Sequence, residues 1–152
     1  MRSHRRVILS LTALATLLTI GHHVDHLIRG NHVGWPVTDQ VTAFTISLLI
    51  YPILITAVAL FLAGRIGPGT WAFISGGGAV FVTVLHFGPF AVDPPHDIVG
   101  QYDGLAGPFW MGWLILLVIT LVVTCIVETA FWLRSRKDTA STPAASRVTV
   151  EG

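Results

Sequence analysis

Four long apolar segments constrain this chain more than any other feature. They cover about residues 7–28, 41–63, 70–90 and 108–133, and each is about as long as the roughly 20 apolar residues that a helix needs to cross a bilayer. None has the alternating pattern of a barrel strand, and only helices or closed barrels satisfy the backbone in lipid. Charged residues make up 11% of the chain, against about 25% in soluble domains. We therefore predict an all-α integral membrane protein, with a four-helix bundle formed by residues 1–134.

The two ends of the chain need separate interpretation. Arg2, Arg5 and Arg6 before an apolar run also fit a secretory signal peptide, but no small-residue cleavage site follows the run. A retained helix is therefore favoured over a cleaved signal. Residues 135–152 are rich in Ser, Thr, Ala and charge and lack an apolar stripe, which predicts a disordered cytoplasmic tail.

The basic residues are distributed unevenly about the four segments. Eight of the nine fall before the first segment, between the second and third, or after the fourth, and these positions share one side of a four-span bundle. Only Arg29 falls on the other side. Cytoplasmic loops carry an excess of Lys and Arg, so the pattern predicts a multi-pass protein of the cell membrane with both termini in the cytoplasm. The eight residues are Arg2, Arg5, Arg6, Arg65, Arg134, Arg136, Lys137 and Arg147.

The second half of the first segment carries a stripe of ionisable residues. Four of them follow the i, i+3, i+4, i+7 spacing that places side chains on one face of a helix. His23 lies on the flank of this face. Ionisable residues inside a span are costly and normally face the bundle interior or a wet cavity. The four residues are His22, Asp25, His26 and Arg29.

More histidines and aspartates fall on the same predicted outer side. His86 ends the third segment at about the depth of His22 and His26, and His96 lies in a loop stiffened by two prolines. The outer side collects six His and five Asp against one Arg, so we expect one cluster there. The set is His22, His23, His26, His32, His86, His96, Asp25, Asp39, Asp93, Asp97 and Asp103.

A transition-metal site is the leading interpretation of this cluster. His22 and His26, at i and i+4, can bind one ion from a single helix, and His86 adds a third imidazole. His96 is a further candidate ligand, and Asp25 is a candidate ligand or a group that orients one. Zinc, iron and copper all suit such a site.

Two other interpretations of the cluster stay open. Haem could lie between the helices, with His86 and one histidine of the first segment as axial ligands and Gly76, Gly77 and Gly78 making room. Alternatively, Asp25 and Arg29 form an ion pair at i, i+4, and the histidines are structural or sense pH.

The sequence assigns no reaction. It contains no glycine-rich phosphate loop, no Gly-x-Ser-x-Gly elbow and no basic nucleic-acid patch, so nucleic acid is not a predicted partner and an enzymatic role stays undecided. The predicted partners are the lipid bilayer and further copies of this chain or a larger membrane complex. The alternative functions are a non-catalytic membrane subunit and a small proton-linked transporter.

Three local predictions concern the second and fourth segments. Pro52 should kink the second helix, because it removes one backbone hydrogen bond, and Thr38 or Asp39 should cap the start of that helix. Glu128 would be costly in lipid, so it should pair with Arg65 or an N-terminal arginine, or reach the inner interface.

Overall fold

A computed structural model of the chain describes residues 2–29 and 41–141. Within these residues the fold consists of six helices and no strand. This confirms the predicted all-α class with four long apolar helices. The helices are α1 (Arg2–Arg29), α2 (Ala43–Ser47), α3 (Ile50–Leu62), α4 (Pro68–Phe87), α5 (Pro95–Val99) and α6 (Ala106–Ser141). The stretches long and apolar enough to cross a membrane are His4–Arg29, Ala43–Leu62, Pro68–Phe87 and Ala106–Asp138.

The second apolar stretch is interrupted close to its proline. A turn at Leu48 and Leu49 separates α2 from α3, and Pro52 lies in the first turn of α3. Proline has no N–H to donate to the carbonyl of the residue four positions earlier, here Leu48. The predicted distortion therefore takes the form of a break on the N-terminal side of Pro52.

The helix ends differ from the predicted ends by a few residues. The cap of α2 is Thr42, whose hydroxyl accepts a hydrogen bond from the Thr45 backbone N–H at 3.2 Å. The predicted caps Thr38 and Asp39 lie outside the described residues. At the other end of the chain α6 continues to Ser141, so the first part of the predicted disordered tail is helical and the rest lies outside the described residues.

Helices α1, α4 and α6 form the closely packed part of the bundle. A Cβ atom at Gly76 would lie 3.0 Å from the Cys125 sulfur, so the glycine-rich face of α4 allows α6 to approach closely. A Cβ atom at Gly21 would lie only 2.5 Å from the Trp113 ring, whose Nε1 donates a hydrogen bond to the Leu18 carbonyl at 2.8 Å. Small residues therefore set both of these helix contacts.

The second apolar stretch packs more loosely than the others. Only 6% of its apolar window is buried, compared with 33% for the first stretch. It is attached on α3 where Ala57 packs against Ile8 and Trp71. It is also attached by the ring of His23, which hydrogen-bonds Tyr51. A cavity lies between this stretch and the helices α1, α4 and α6.

The two ends of the bundle differ in chemistry. His4, near the start of α1, stacks on Phe131 of α6 at a ring distance of 4.2 Å, so the start of α1 lies beside the second half of α6. Arg5 donates to the Leu62 carbonyl at 3.2 Å, which places the end of α3 there too. The histidines of α1 and α4 lie at the opposite end, together with α5.

Candidate metal centre

Three buried histidine rings meet at the end of the bundle opposite the start of α1 and the end of α3. His22 and His26 come from successive turns of α1, and His86 comes from the last turn of α4. One ring nitrogen from each lies within 4.8 Å of the other two. The centroid of the His22 ring is 4.8 Å from that of His26 and 4.9 Å from that of His86, both in edge-to-face contact. We call these three residues the histidine group.

The position of the His86 ring is fixed by the chain that follows α4. The chain turns back so that the N–H groups of Val92 and Asp93 donate to the Leu85 carbonyl at 2.9 and 3.1 Å. This brings the Asp93 carbonyl within 2.7 Å of His86 Nδ1. A carbonyl can only accept, so Nδ1 carries the proton and the Nε2 lone pair stays available. Metal-binding histidines usually donate their other N–H to a carbonyl or carboxylate in this way.

The other two rings of the group are held less tightly by hydrogen bonds. His26 Nδ1 accepts from Arg29 at 3.4 Å, which is long for a hydrogen bond, and its Nε2 lies 3.6 Å from an Asp93 carboxylate oxygen. Neither nitrogen of His22 makes a hydrogen bond to any residue that the structure describes. Two of the three rings can therefore reorient at little cost in lost hydrogen bonds.

A buried ionic network lies against the histidine group. The Arg29 guanidinium donates to both carboxylate oxygens of Asp93, at 2.8 and 2.7 Å, and to Asp25 at 3.0 Å. The second Asp25 oxygen accepts from the Tyr102 hydroxyl at 2.7 Å. Burial and the Asp25 carboxylate raise the pKa of Tyr102, so this hydroxyl stays protonated and donates. Two carboxylates share one guanidinium, which leaves the network with one negative charge.

His23 has a different role from its neighbours in the sequence. Its Nδ1 lies 2.6 Å from the Tyr51 hydroxyl, and its Nε2 lies 2.9 Å from Ser47 Oγ. Ser47 donates its own proton to the Phe44 carbonyl at 2.6 Å, so in the neutral ring Nε2–H donates to Ser47 and Nδ1 accepts from Tyr51. Both nitrogens are thus occupied in joining α1 to the second apolar stretch.

Two predicted metal-binding residues do not join the histidine group. His96 lies on the short helix α5, where its side chain is 80% exposed and pairs with Asp97 at 3.3 Å. It therefore does not face the histidine group. Asp25 is buried, but both of its carboxylate oxygens are engaged by Arg29 and Tyr102, so it orients Arg29 instead of facing the group. His32 lies outside the described residues.

A cavity of about 360 Å³ extends from the histidine group into the bundle. Its walls are mostly apolar side chains from both parts of the second stretch and from α1, α4 and α6. Its far end is lined by Thr12, Ser75 and Glu128.

Glu128 is fully buried at that far end. Its side chain is 0% exposed, and one carboxylate oxygen accepts a hydrogen bond from Ser75 at 2.9 Å. The other oxygen has no partner among the described residues. The prediction that Glu128 pairs with Arg65 or an N-terminal arginine is wrong, because the residue faces α4 in the bundle interior. Arg5 instead donates to a backbone carbonyl.

Sequence reasoning did not identify Asp93 and Tyr102 as partners of the ionic network. The sequence pattern places Asp93 only among several outer aspartates, and it contains no signal for Tyr102. Comparison of the chain with protein-family models, with curated proteins and with solved structures gives no match. Its function is therefore inferred from the geometry of its own residues.

Proposed function

We propose that this chain is a multi-pass membrane protein that binds one transition-metal ion through His22, His26 and His86. The observation that carries the proposal is the convergence of three buried imidazoles from two helices, with nitrogens within 4.8 Å of one another. Imidazole suits zinc, copper and iron. Three protein ligands leave a coordination position for water or substrate, as in catalytic zinc sites.

Insertion in a membrane is supported by the surface of the helices. Many large apolar side chains point away from the bundle, and Phe73 on α4 is 82% exposed. Water would make such a surface prone to aggregation, whereas lipid solvates it. The basic residues near both chain ends favour a cytoplasmic location for both termini. The histidine group then lies near the outer interface.

The distances in the histidine group suit one ion after a small contraction. Tetrahedral ligands at the His–metal distance of about 2.1 Å lie about 3.4 Å from one another. The observed upper limit of 4.8 Å must therefore shorten by about 1.4 Å. Rotation of the His22 and His26 rings can supply this movement, because neither ring is held by a short hydrogen bond.

Haem fits the same residues less well than a single ion. Two axial imidazoles on opposite sides of a haem iron have ring centroids roughly 6 Å apart, with the macrocycle between them. The rings of His22 and His86 are 4.9 Å apart and in direct edge-to-face contact. The rings of His26 and His86 are 5.9 Å apart, but the His22 ring lies 4.8 and 4.9 Å from them and fills the space that the macrocycle would need. Haem would therefore need the His22 ring to move out of the group, whereas a single ion uses all three rings.

The charge beside the histidine group also favours a cation. Asp25 and Asp93 share the single positive charge of Arg29, and buried charge without compensation is costly. A divalent ion on three neutral imidazoles would supply positive charge next to the Asp93 carboxylate, which lies 3.5 Å from His86 Nδ1. The network therefore stabilises the metal-bound form.

Metal analysis and an absorption spectrum of detergent-purified protein test this proposal. We expect one equivalent of zinc, iron or copper per chain and no Soret band. The variant His86→Ala should lose the metal. His96→Ala should retain it, because the His96 side chain is exposed and pairs with Asp97 outside the histidine group. A protein that holds no metal after loading, or whose His86→Ala variant binds as much as the unchanged chain, would contradict the proposal. A Soret band would favour haem.

Proton-linked transport is a second candidate, because the cavity that begins at His26 also reaches the buried carboxyl of Glu128. The apolar walls between these groups make the cavity a poor path for hydrated ions. Reconstituted vesicles under a pH gradient distinguish the two functions. Proton flux above protein-free vesicles that is lost in Glu128→Gln would support transport, and the absence of flux would exclude it.

A further inference from the structure

The cavity below the histidine group has the length of a hydrocarbon chain in one leaflet. Along α1 its lining extends from Thr12 to His26, and the part between its far end and the histidine group extends from Thr12 to His22. These residues are ten positions apart, which corresponds to about 15 Å at 1.5 Å per residue. Half of the roughly 30 Å hydrocarbon core is also about 15 Å. The cavity therefore spans the depth of one leaflet, from the histidine group inwards.

The walls of the cavity suit an apolar occupant. Ile50, Ile53 and Leu54 line one side, and Ile74 and Phe81 line another. Two of the threonine hydroxyls along it are already satisfied: Thr16 donates to the Thr12 carbonyl at 2.8 Å, and Thr124 donates to the Thr120 carbonyl at 2.6 Å. Thr16 and Thr124 thus present their methyl groups to an occupant. The polar atoms without a partner among the described residues are at the far end of the cavity, on Thr12, Trp71 and Glu128.

One wall of the cavity can admit a molecule from the bilayer. The second apolar stretch is the least buried of the four, with 6% of its apolar window buried. It is attached through Ala57 and through the hydrogen bonds of His23 to Tyr51 and Ser47. On α4, a Cβ atom at Gly77 would meet nothing within 4 Å, so α4 leaves the cavity unfilled at this position. A chain dissolved in the bilayer therefore has a lateral route to the site.

We infer that the cavity binds the hydrocarbon chain of a single-chain amphiphile whose polar end reaches the metal at His22, His26 and His86. The inference rests on the proposed metal site and names the class of molecule that occupies its open coordination position. A polar head lies at the interface, where the histidine group is, and its chain lies along α1 towards Glu128. Small water-soluble ligands would use the metal but leave the cavity empty.

Two hydroxamates provide the test, because both bind a transition metal through the same head. Acetohydroxamate has no chain, and dodecanohydroxamate has a chain of about the cavity's length. Each is titrated against the Co²⁺-loaded protein in detergent and followed by the visible Co²⁺ bands. Thr16→Phe fills the cavity without removing a contact between helices. Thr83→Phe is the matched control, because Thr83 is exposed and does not line the cavity.

Thr16→Phe should weaken dodecanohydroxamate binding by about 5- to 150-fold, which is the range that the usual costs of overpacking convert to. It should change acetohydroxamate binding less than about threefold, and Thr83→Phe should change neither ligand by more than that. Detergent partitioning is the same for every variant and cancels in the comparison. If Thr16→Phe fails to bind Co²⁺, Ile74→Trp fills the cavity from α4 and gives the same test.

The outcomes separate this inference from the metal proposal. Equal weakening of both hydroxamates, or no weakening of either, in a variant that still binds one Co²⁺ overturns the chain-binding inference and leaves the metal site intact. Failure of the unchanged chain to bind Co²⁺ overturns the metal proposal itself.

Discussion

Asp93→Asn removes one charge from the buried ionic network while nearly preserving the shape of the side chain. Asp93 accepts two hydrogen bonds from Arg29, at 2.8 and 2.7 Å, and the two side chains are 4% and 1% exposed. An asparagine can accept only one of these bonds and turns its NH₂ group towards the guanidinium. Its backbone carbonyl still accepts from His86, so the substitution isolates the role of the carboxylate.

The size of the effect follows from the burial of the pair. Breaking a buried ion pair costs about 3–5 kcal/mol when it leaves a charge unpaired. Asp25 stays bonded to Arg29 at 3.0 Å and balances its charge, so the loss is that of a hydrogen bond to a charged group, about 1.5–3 kcal/mol. At about 2–4 °C per kcal/mol for a chain of this size, the thermal midpoint should fall by roughly 3–12 °C.

Thermal unfolding in detergent, followed by circular dichroism with a chelator present, measures this loss without a contribution from bound metal. Asp97→Asn is the matched control, because Asp97 pairs with the exposed His96 and such pairs contribute at most about 1 kcal/mol. If Asp93→Asn lowers the midpoint no more than Asp97→Asn does, the buried network does not stabilise this end of the bundle. Metal affinity should also fall about 10–100-fold in Asp93→Asn, as for other groups that orient metal ligands.

Four further substitutions test separate parts of the structure. His23→Ala should retain the metal, because both ring nitrogens are engaged elsewhere, and loss of the metal would show that His23 is a ligand. Gly21→Ala should destabilise the protein by about 1–3 kcal/mol, because the added Cβ clashes with Trp113. Gly77→Ala should raise stability by about 0.5–1 kcal/mol, because its added Cβ meets nothing within 4 Å. Equal thermal midpoints for these two variants would contradict this packing. Glu128→Gln keeps an acceptor for the hydrogen bond from Ser75, so it should lower the stability of the protein by less than about 1 kcal/mol and leave the metal content unchanged. A loss of stability of about 3 kcal/mol or more would indicate an ionised, paired carboxylate.

The part of the site that sequence could predict depends on spacing within one helix. His22 and His26 share a face because they are four residues apart, and His86 reaches the same depth because it ends an apolar stretch that began at the other end. Three residues could therefore be brought together from periodicity and topology alone. Neither the helical periodicity nor the order of the spans describes the path of a loop.

The features that sequence did not predict all depend on such paths or on helix rotation. Asp93 meets His86 because the chain turns back onto Leu85, and the pattern of residues after α4 does not specify this turn. His96 points outwards because it lies on the short helix α5, where two prolines had suggested only a stiff loop. Glu128 meets Ser75 because of the rotation of α6, and a helix that is apolar on every side does not indicate which face its neighbour covers.

X-ray absorption by the metal-loaded protein tests the central claim most directly, because it reports the number and type of atoms bound to the ion. We predict three imidazole nitrogens at about 2.0–2.1 Å, with one oxygen atom of water or substrate completing the shell. In His22→Ala the fitted number of imidazoles should fall to two. A shell of oxygen atoms alone, or a signal with fewer than three imidazoles in the unchanged chain, would contradict a metal site formed by His22, His26 and His86.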